Sequence, residues 1–341
     1  MSEKTKAKTK FDLRSSILLL LLLTILLFSS TYAWFTANQT VTISTLNVHI
    51  EAQNGLQIST DASAWKSIID NNDITAGYSG HVNVLPTNIE PVSTVGEIDG
   101  STGYMKMYYG SVNADEADGG AYKLTATQTA DTEGKYIVFD MFLKVDKATD
   151  LVMTEASSVV MKEGSTDKGI KQASRVAFCL EGTQPAGTPL DTIRTMKGAT
   201  SFVAEGSTVY IWEPNSNLHT EAAVAHARDN YNIPTKSDGT ASAVPYYGIN
   251  QPISTGVKLI DTNNGNDAKN FTAITPSYVT PVDVTSGLIT QTDIFSLDAG
   301  ITKVRVYMWV EGQDVDCENT ASGTDISFNL QFQVVEPVVA G

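Results

Sequence analysis

Val41 and Ile43 alternate with Thr42 and Ser44, and then Leu46, Val48 and Ile50 alternate with Asn47, His49 and Glu51. A period of two marks a strand with one buried face. The apolar parity changes between Ile43 and Leu46, which predicts a bulge or break near Thr45. A short strand over 56–59 follows Asn54-Gly55, a dipeptide typical of hairpin turns. Further strands are expected over 122–127, 136–145, 174–180, 207–212, 257–260, 303–310 and 326–335. The cleanest one-sided strand has Phe328, Leu330, Phe332 and Val334 alternating with Asn329, Gln331 and Gln333. Residues 136–143 are apolar on both parities, the mark of a central strand covered on both faces.

Helical signals are sparse and short. They fall at 62–70, 189–197 and 219–229, the last with Thr220 or Asn217 as its cap. The stretch 261–298 shows little apolar periodicity and several turn signals, so it reads as a long decorated connection. Many short strands separated by turn residues predict an all-β fold, a jelly-roll-like β-sandwich with long loops. One sandwich domain over 46–341 with insertions is the first expectation, and two stacked sandwiches divided near 185–200 is the second.

The N-terminus is patterned differently. Lys4, Lys6, Lys8, Lys10 and Arg14 precede an apolar run from Ile17 to Phe28, broken once by Thr24. Such a run makes a helix of roughly 18 Å at about 1.5 Å per residue, short of a ~30 Å hydrocarbon core. This is the form of a signal peptide over 1–33. Thr31 and Ala33 supply the small residues of a cleavage site, placing the cut between Ala33 and Trp34. Continuing the span to Ala37 would instead leave an uncleaved anchor, so any membrane contact is expected through this segment alone. Loss of the leader takes five bases and two acids from a chain of 23 bases and 38 acids, moving its charge from −15 to −18. That balance argues against a nucleic-acid partner, which needs a basic patch. Past the last strand there is neither an apolar helix nor a sorting motif of the Leu-Pro-x-Thr-Gly kind, so attachment is expected through the N-terminus or neighbouring subunits. A pilin-like long helix is not expected, because the apolar run stops before Ser29.

Candidate chemistry is thin. Cys179 and Cys317 form a disulfide or remain two buried thiols, and export favours oxidation. Glu311, Asp314, Asp316 and Glu318 cluster after a strand, where they supply oxygens for Ca²⁺ or form a solvated acidic loop. The spacing departs from an EF-hand loop, with Asn319 where glycine belongs and Asp325 where glutamate belongs. The run 261–267 is a weaker calcium candidate. The four histidines, His49, His81, His219 and His226, contain no His-Glu-x-x-His. His219 and His226 stand seven apart, and a zinc hydrolase needs a third ligand and a base beside them. Neither a Gly-x-Ser-x-Gly elbow nor a phosphate loop is present, so no enzyme is expected.

The run Thr31-Tyr32-Ala33-Trp34-Phe35, between the apolar run and the first strand, resembles the signal of the TasA/camelysin-like family, which is processed by a SipW-type signal peptidase. The match covers under a tenth of the chain, which is also longer than TasA. The resemblance implies export to the cell surface or biofilm matrix as a structural protein that self-associates into fibres. Residues 34–45 would be a donor strand that completes the sheet of the next subunit, anchored by Trp34, Phe35, Val41 and Ile43. The plain alternative is that this segment is the first strand of its own sheet. Two other functions stay open: a membrane-anchored adhesin-like binding module, and a camelysin-type metallopeptidase dependent on His219 and His226.

Overall fold

The computed structural model describes residues 43–94, 96, 98–115, 121–154, 156–166, 168–198, 209–212, 220–223, 225, 257–258, 280–282, 293–312, 314, 316–317 and 322–335. The leader, its cleavage site and residues 34–42 lie outside them. The strands are β1 (Ile43–Gln53), β2 (Gln57–Ser59), β3 (Ile68–Ile69), β4 (Asn88–Ile89), β5 (Met107–Asp115), β6 (Ala121–Thr129), β7 (Ile137–Val145) and β8 (Thr149–Met153). They continue with β9 (Ser158–Met161), β10 (Ser174–Gln184), β11 (Val209–Trp212), β12 (Val257–Lys258), β13 (Thr280–Val282), β14 (Asp293–Leu297), β15 (Gly300–Val310) and β16 (Asp325–Val335).

Two sheets face each other. The first runs β14-β8-β16-β1-β3, with β4 also on β1 and β9 also on β16; the second runs β13-β11-β10-β15-β7-β2. A three-stranded sheet, β12-β6-β5, is hydrogen-bonded separately, and Met107 of β5 packs with Val138, Ala177, Tyr307 and Trp309 of the second sheet. The fold is an all-β sandwich. Strands from either side of 185–200 are neighbours in one sheet, as β10 is to β15, and β1 pairs with β16 from the far end of the chain. The division into two sandwiches is therefore not what forms.

The core between the sheets follows from alternation. Ile326, Phe328, Leu330 and Phe332 of β16 point inward, towards Phe139 and Met141 of β7, Val176 and Phe178 of β10, and Val304 and Val306 of β15, all in one buried cluster. The Phe178 and Phe332 rings meet edge to face across the gap, with centroids 5.5 Å apart. The expected bulge is present: the β1–β16 register shifts between Thr45 and Asn47, which brings Ile43, Val48 and Ile50 all inward despite their different parity. β7 and β15 are buried on both faces, as 136–143 predicted for β7.

Three local expectations are corrected. Asn54 and Gly55 both adopt positive φ, 59° and 84°, as their turn chemistry requires, but the turn carries the chain from one sheet to the other and makes no hairpin. No helix covers 62–70, because the Asp61 carboxylate holds the amides of Ser63 and Ala64 in a turn. The helix starts later, at Asn71–Ala76, where Asp70 and Asp73 form a reciprocal capping box. Within 261–298, β13 and β14 both join sheets where a connection was expected.

Phe328→Ala should lower unfolding free energy by about 3–5 kcal/mol, because its ring is fully buried between the sheets. Val160→Ala on exposed β9 is the control and should cost under about 1 kcal/mol. Urea unfolding followed by tryptophan fluorescence checks both.

Candidate functional site

The entry of the chain into its sheet is the first place of interest. β1 runs parallel to β16, with Ser44 opposite Asp325 and Gln53 opposite Gln333. Its other edge is covered only piecemeal: β4 pairs at Ile43 and Ser44, and β3 at Ile50 and Glu51. Between those strands Thr45 N donates to Thr87 O at 3.0 Å, Thr45 Oγ1 to Pro86 O at 2.5 Å, and Val48 N to Asn71 Oδ1 at 2.7 Å. Of the expected donor anchors, Ile43 is described and is fully buried in the chain's own sheet. Trp34, Phe35 and Val41 lie outside the described residues. Residues 43–45 thus belong to a strand that continues unbroken to Gln53.

The second place is the outer face of the sheet holding β7 and β15, where charge is buried. Asp140 of β7 has no solvent exposure, and Arg305 of β15 has 3%. They are directly opposed in the β7–β15 register. Arg305 Nε and Nη2 each approach Asp140 Oδ1 at 2.9 Å. Asp140 Oδ2 accepts from Tyr78 Oη at 2.5 Å and faces Lys303 Nζ at 3.2 Å. The Lys303 ammonium also donates to Arg194 O at 2.7 Å and Met196 O at 3.1 Å, so one side chain ties the end of helix Leu190–Arg194 to the sheet. Arg305 packs on the Tyr104 ring, 3.9 Å from its centroid.

Two more acids share this layer. Asp131 accepts from Tyr136 Oη at 2.6 Å and Tyr307 Oη at 3.2 Å, and Glu181 accepts from Gly198 N at 2.7 Å. Burial raises the pKa of both, more than neighbouring Arg305 lowers it. Burial also opposes ionisation of Asp140, but the Arg305 and Lys303 charges and the Tyr78 hydrogen bond outweigh it, and its pKa falls below the ordinary value. The arrangement is a clasp: it fixes the covering segments that carry Tyr78, Tyr104 and Arg194 to the sheet.

The acidic run after β15 folds inward too. Asp314 pairs with Arg175 at 2.6 Å, both fully buried, and also accepts from Asp316 N at 2.8 Å. Asp316 Oδ1 accepts from the amide and hydroxyl of Thr220, at 2.9 and 3.0 Å. Thr220 in turn accepts from Ala223 N, the cap expected of it. Glu311 takes hydrogen bonds from Ser93 Oγ and Trp309 Nε1. Gly169, at φ +99°, lies so close to Asp316 that a Cβ there would come within 2.8 Å of it. Glu311, Asp314 and Asp316 are therefore buried anchors of this loop, where a solvated loop or a calcium cage was expected; Glu318 lies outside the described residues. Among the described residues, no group of three or more His, Cys, Asp or Glu is placed to hold a metal.

Cys179 and Cys317 are two buried free thiols, in different hydrophobic clusters, and burial raises both thiol pKa values. They are not joined in this structure. His49 lies on β1, and His81 Nδ1 accepts from Asn83 N at 3.0 Å. His219, His226 and 261–267 lie outside the described residues. Among the described residues no helix is long and apolar enough to cross a membrane. Nothing matches this chain among family models, curated proteins or solved structures.

Sequence reading passed over the clasp. Its only signal was charge interrupting apolar strands: Asp140 inside 136–143, and Lys303 and Arg305 between Thr302, Val304 and Val306.

Asp140→Asn should destabilise the fold by about 3–5 kcal/mol, since it leaves two buried cations without their counter-charge. The pH dependence has two opposed parts. Asp140, with a lowered folded pKa, adds stability above its unfolded value, and that stability disappears as pH falls through the folded value. Asp131 and Glu181, with raised folded values, add stability below their unfolded values that is lost as pH rises through the folded ones. Urea midpoints should therefore rise on acidification from neutral towards the ordinary carboxylate range and fall below about pH 4. Glu181→Gln should flatten the rise.

Proposed function

We propose that this chain is an exported structural protein of a bacterial cell surface or biofilm matrix, a jelly-roll-like subunit that assembles into fibres by N-terminal strand exchange. It is secreted through a SipW-type signal peptidase, makes no use of a cofactor and turns over no substrate. The observation that carries this reading is the seat of β1. The first strand lies parallel against β16 and is closed on its other edge by two two-residue strands and by single hydrogen bonds to Thr87, Asn71 and Ser67. Such a seat accepts an extended segment through backbone pairing and inward apolar side chains, whichever copy supplies it.

Nine residues, 34–42, separate the expected cut from β1. Fully extended they reach about 30 Å, the length of one strand. Their apolar members, Trp34, Phe35 and Val41, supply anchors for a neighbour's sheet edge. A head-to-tail contact of this kind does not close on itself, and repetition yields a filament.

The test compares the mature chain from Trp34 with a version from Ile43. Starting at Leu46 would remove the pairs of residues 43–45 with β4 and β16, and so confuse assembly with folding. Filaments from the longer chain and folded monomers from the shorter, by sedimentation and electron microscopy across concentration, are the expected result. Folded monomers from both would replace the fibre reading with a binding module anchored by residues 1–33. Zinc-dependent peptide cleavage, abolished by replacing His219 or His226, would replace it with a metallopeptidase.

A further inference from the structure

The outward face of the first sheet brings together a hydroxyl, a carboxamide, a carboxylate and an imidazole. Thr154 lies between β8 and β9, which run end to end along one side of β16 and are interrupted at 154–157, both pairing antiparallel with it. Thr154 Oγ1 donates to Gln331 Oε1 at 2.5 Å. Gln331 Nε2 donates to Glu51 Oε2 at 3.0 Å, from the residue directly opposite on β1. Two residues earlier on β1, on the same face of the strand, stands His49.

The backbone holds the first pair tightly. Thr154 N donates to Gln331 O at 2.9 Å, Ser157 Oγ to the same carbonyl at 3.2 Å, and Gln331 N to Ser157 Oγ at 2.9 Å. Ala156 N donates to Thr154 Oγ1 at 3.3 Å. An alcohol and a primary amide fixed in this way react as parts of one molecule, where confinement replaces concentration. The carboxylate on the amide nitrogen stands where a proton must arrive if that nitrogen is to leave.

We propose that Thr154 and Gln331 are a modification site, joined after folding by an intramolecular ester that staples the β8–β9 junction to β16. Rotation of Thr154 carries Oγ1 from the amide oxygen to Cδ. The Oγ1–Cδ bond forms as the hydroxyl proton passes to the Glu51 carboxylate, and the Cδ–Nε2 bond breaks as Glu51 returns that proton to the nitrogen. The products are the ester and one ammonia, and no other reactant is consumed. Glu51, in contact with Nε2, is the catalytic group.

The full mature chain, purified folded, is tested by intact mass and peptide mapping. The expected mass is lower than the sequence requires by one ammonia, with one linked pair of peptides containing residues 154 and 331. Thr154→Ala should restore the full mass, Thr154→Ser should keep the link, and Glu51→Gln should slow its accumulation by about a hundredfold. Full mass in the native chain after prolonged incubation would overturn the proposal. So would an ammonia loss that persists in Thr154→Ala, which would move the chemistry to Asn54-Gly55 or Asn264-Gly265 as a cyclic imide. The linked peptides in the native chain decide the matter even if a variant fails to fold. The outcome is independent of fibre assembly, which rests on residues 34–42.

Discussion

The opposition of Asp140 to Arg305 and Lys303 is the constraint around which the fold is arranged. β15 is buried along its whole length, with a sheet on one face and covering segments on the other. Apolar contacts alone would let those covers slide, because dispersion is indifferent to direction. The carboxylate fixes them by direction: Tyr78 arrives from one cover, and Lys303 reaches through to the end of the helix in another. Removing two cations and an acid from water is tolerable only because each finds a partner within hydrogen-bond distance.

The same logic recurs at the end of β15. Arg175 and Asp314 are buried together, and Asp316 seizes Thr220 from a distant part of the chain. Carboxylates thus direct the chain at two places, one within β7 and one beyond the end of β15. A chain with 38 acids has many to place on its surface, yet its most buried polar positions include several of them.

The legible parts of this architecture are those governed by neighbours in sequence. The alternation of Phe328, Leu330 and Phe332 announced β16, and the parity change before Leu46 announced the bulge that the register shows. Asn54-Gly55 announced a turn but not its destination, because a turn dipeptide specifies local dihedral angles and not which sheet receives the next strand. β8 and β14 went unread: each is five residues long, and membership came from pairing with a strand far away in sequence. The clasp stayed hidden for the same reason, since Asp140 and Arg305 stand 165 positions apart. The acidic run 311–318 was visible as density of charge, but whether it faced water or Arg175 depended on tertiary folding.

The parallel pairing of β1 with β16 also sets how the domain would carry tension. Ile43 begins β1 at the end of the sheet where β16 begins, and Val335 closes β16 at the opposite end. A pull outward on these two residues drives the strands past each other lengthwise. The backbone bonds of the nine paired positions are then loaded together, where a hairpin pulled from its open end would give them up one by one. Resistance to stretching is in this way a property of strand direction, separate from the free energy of folding.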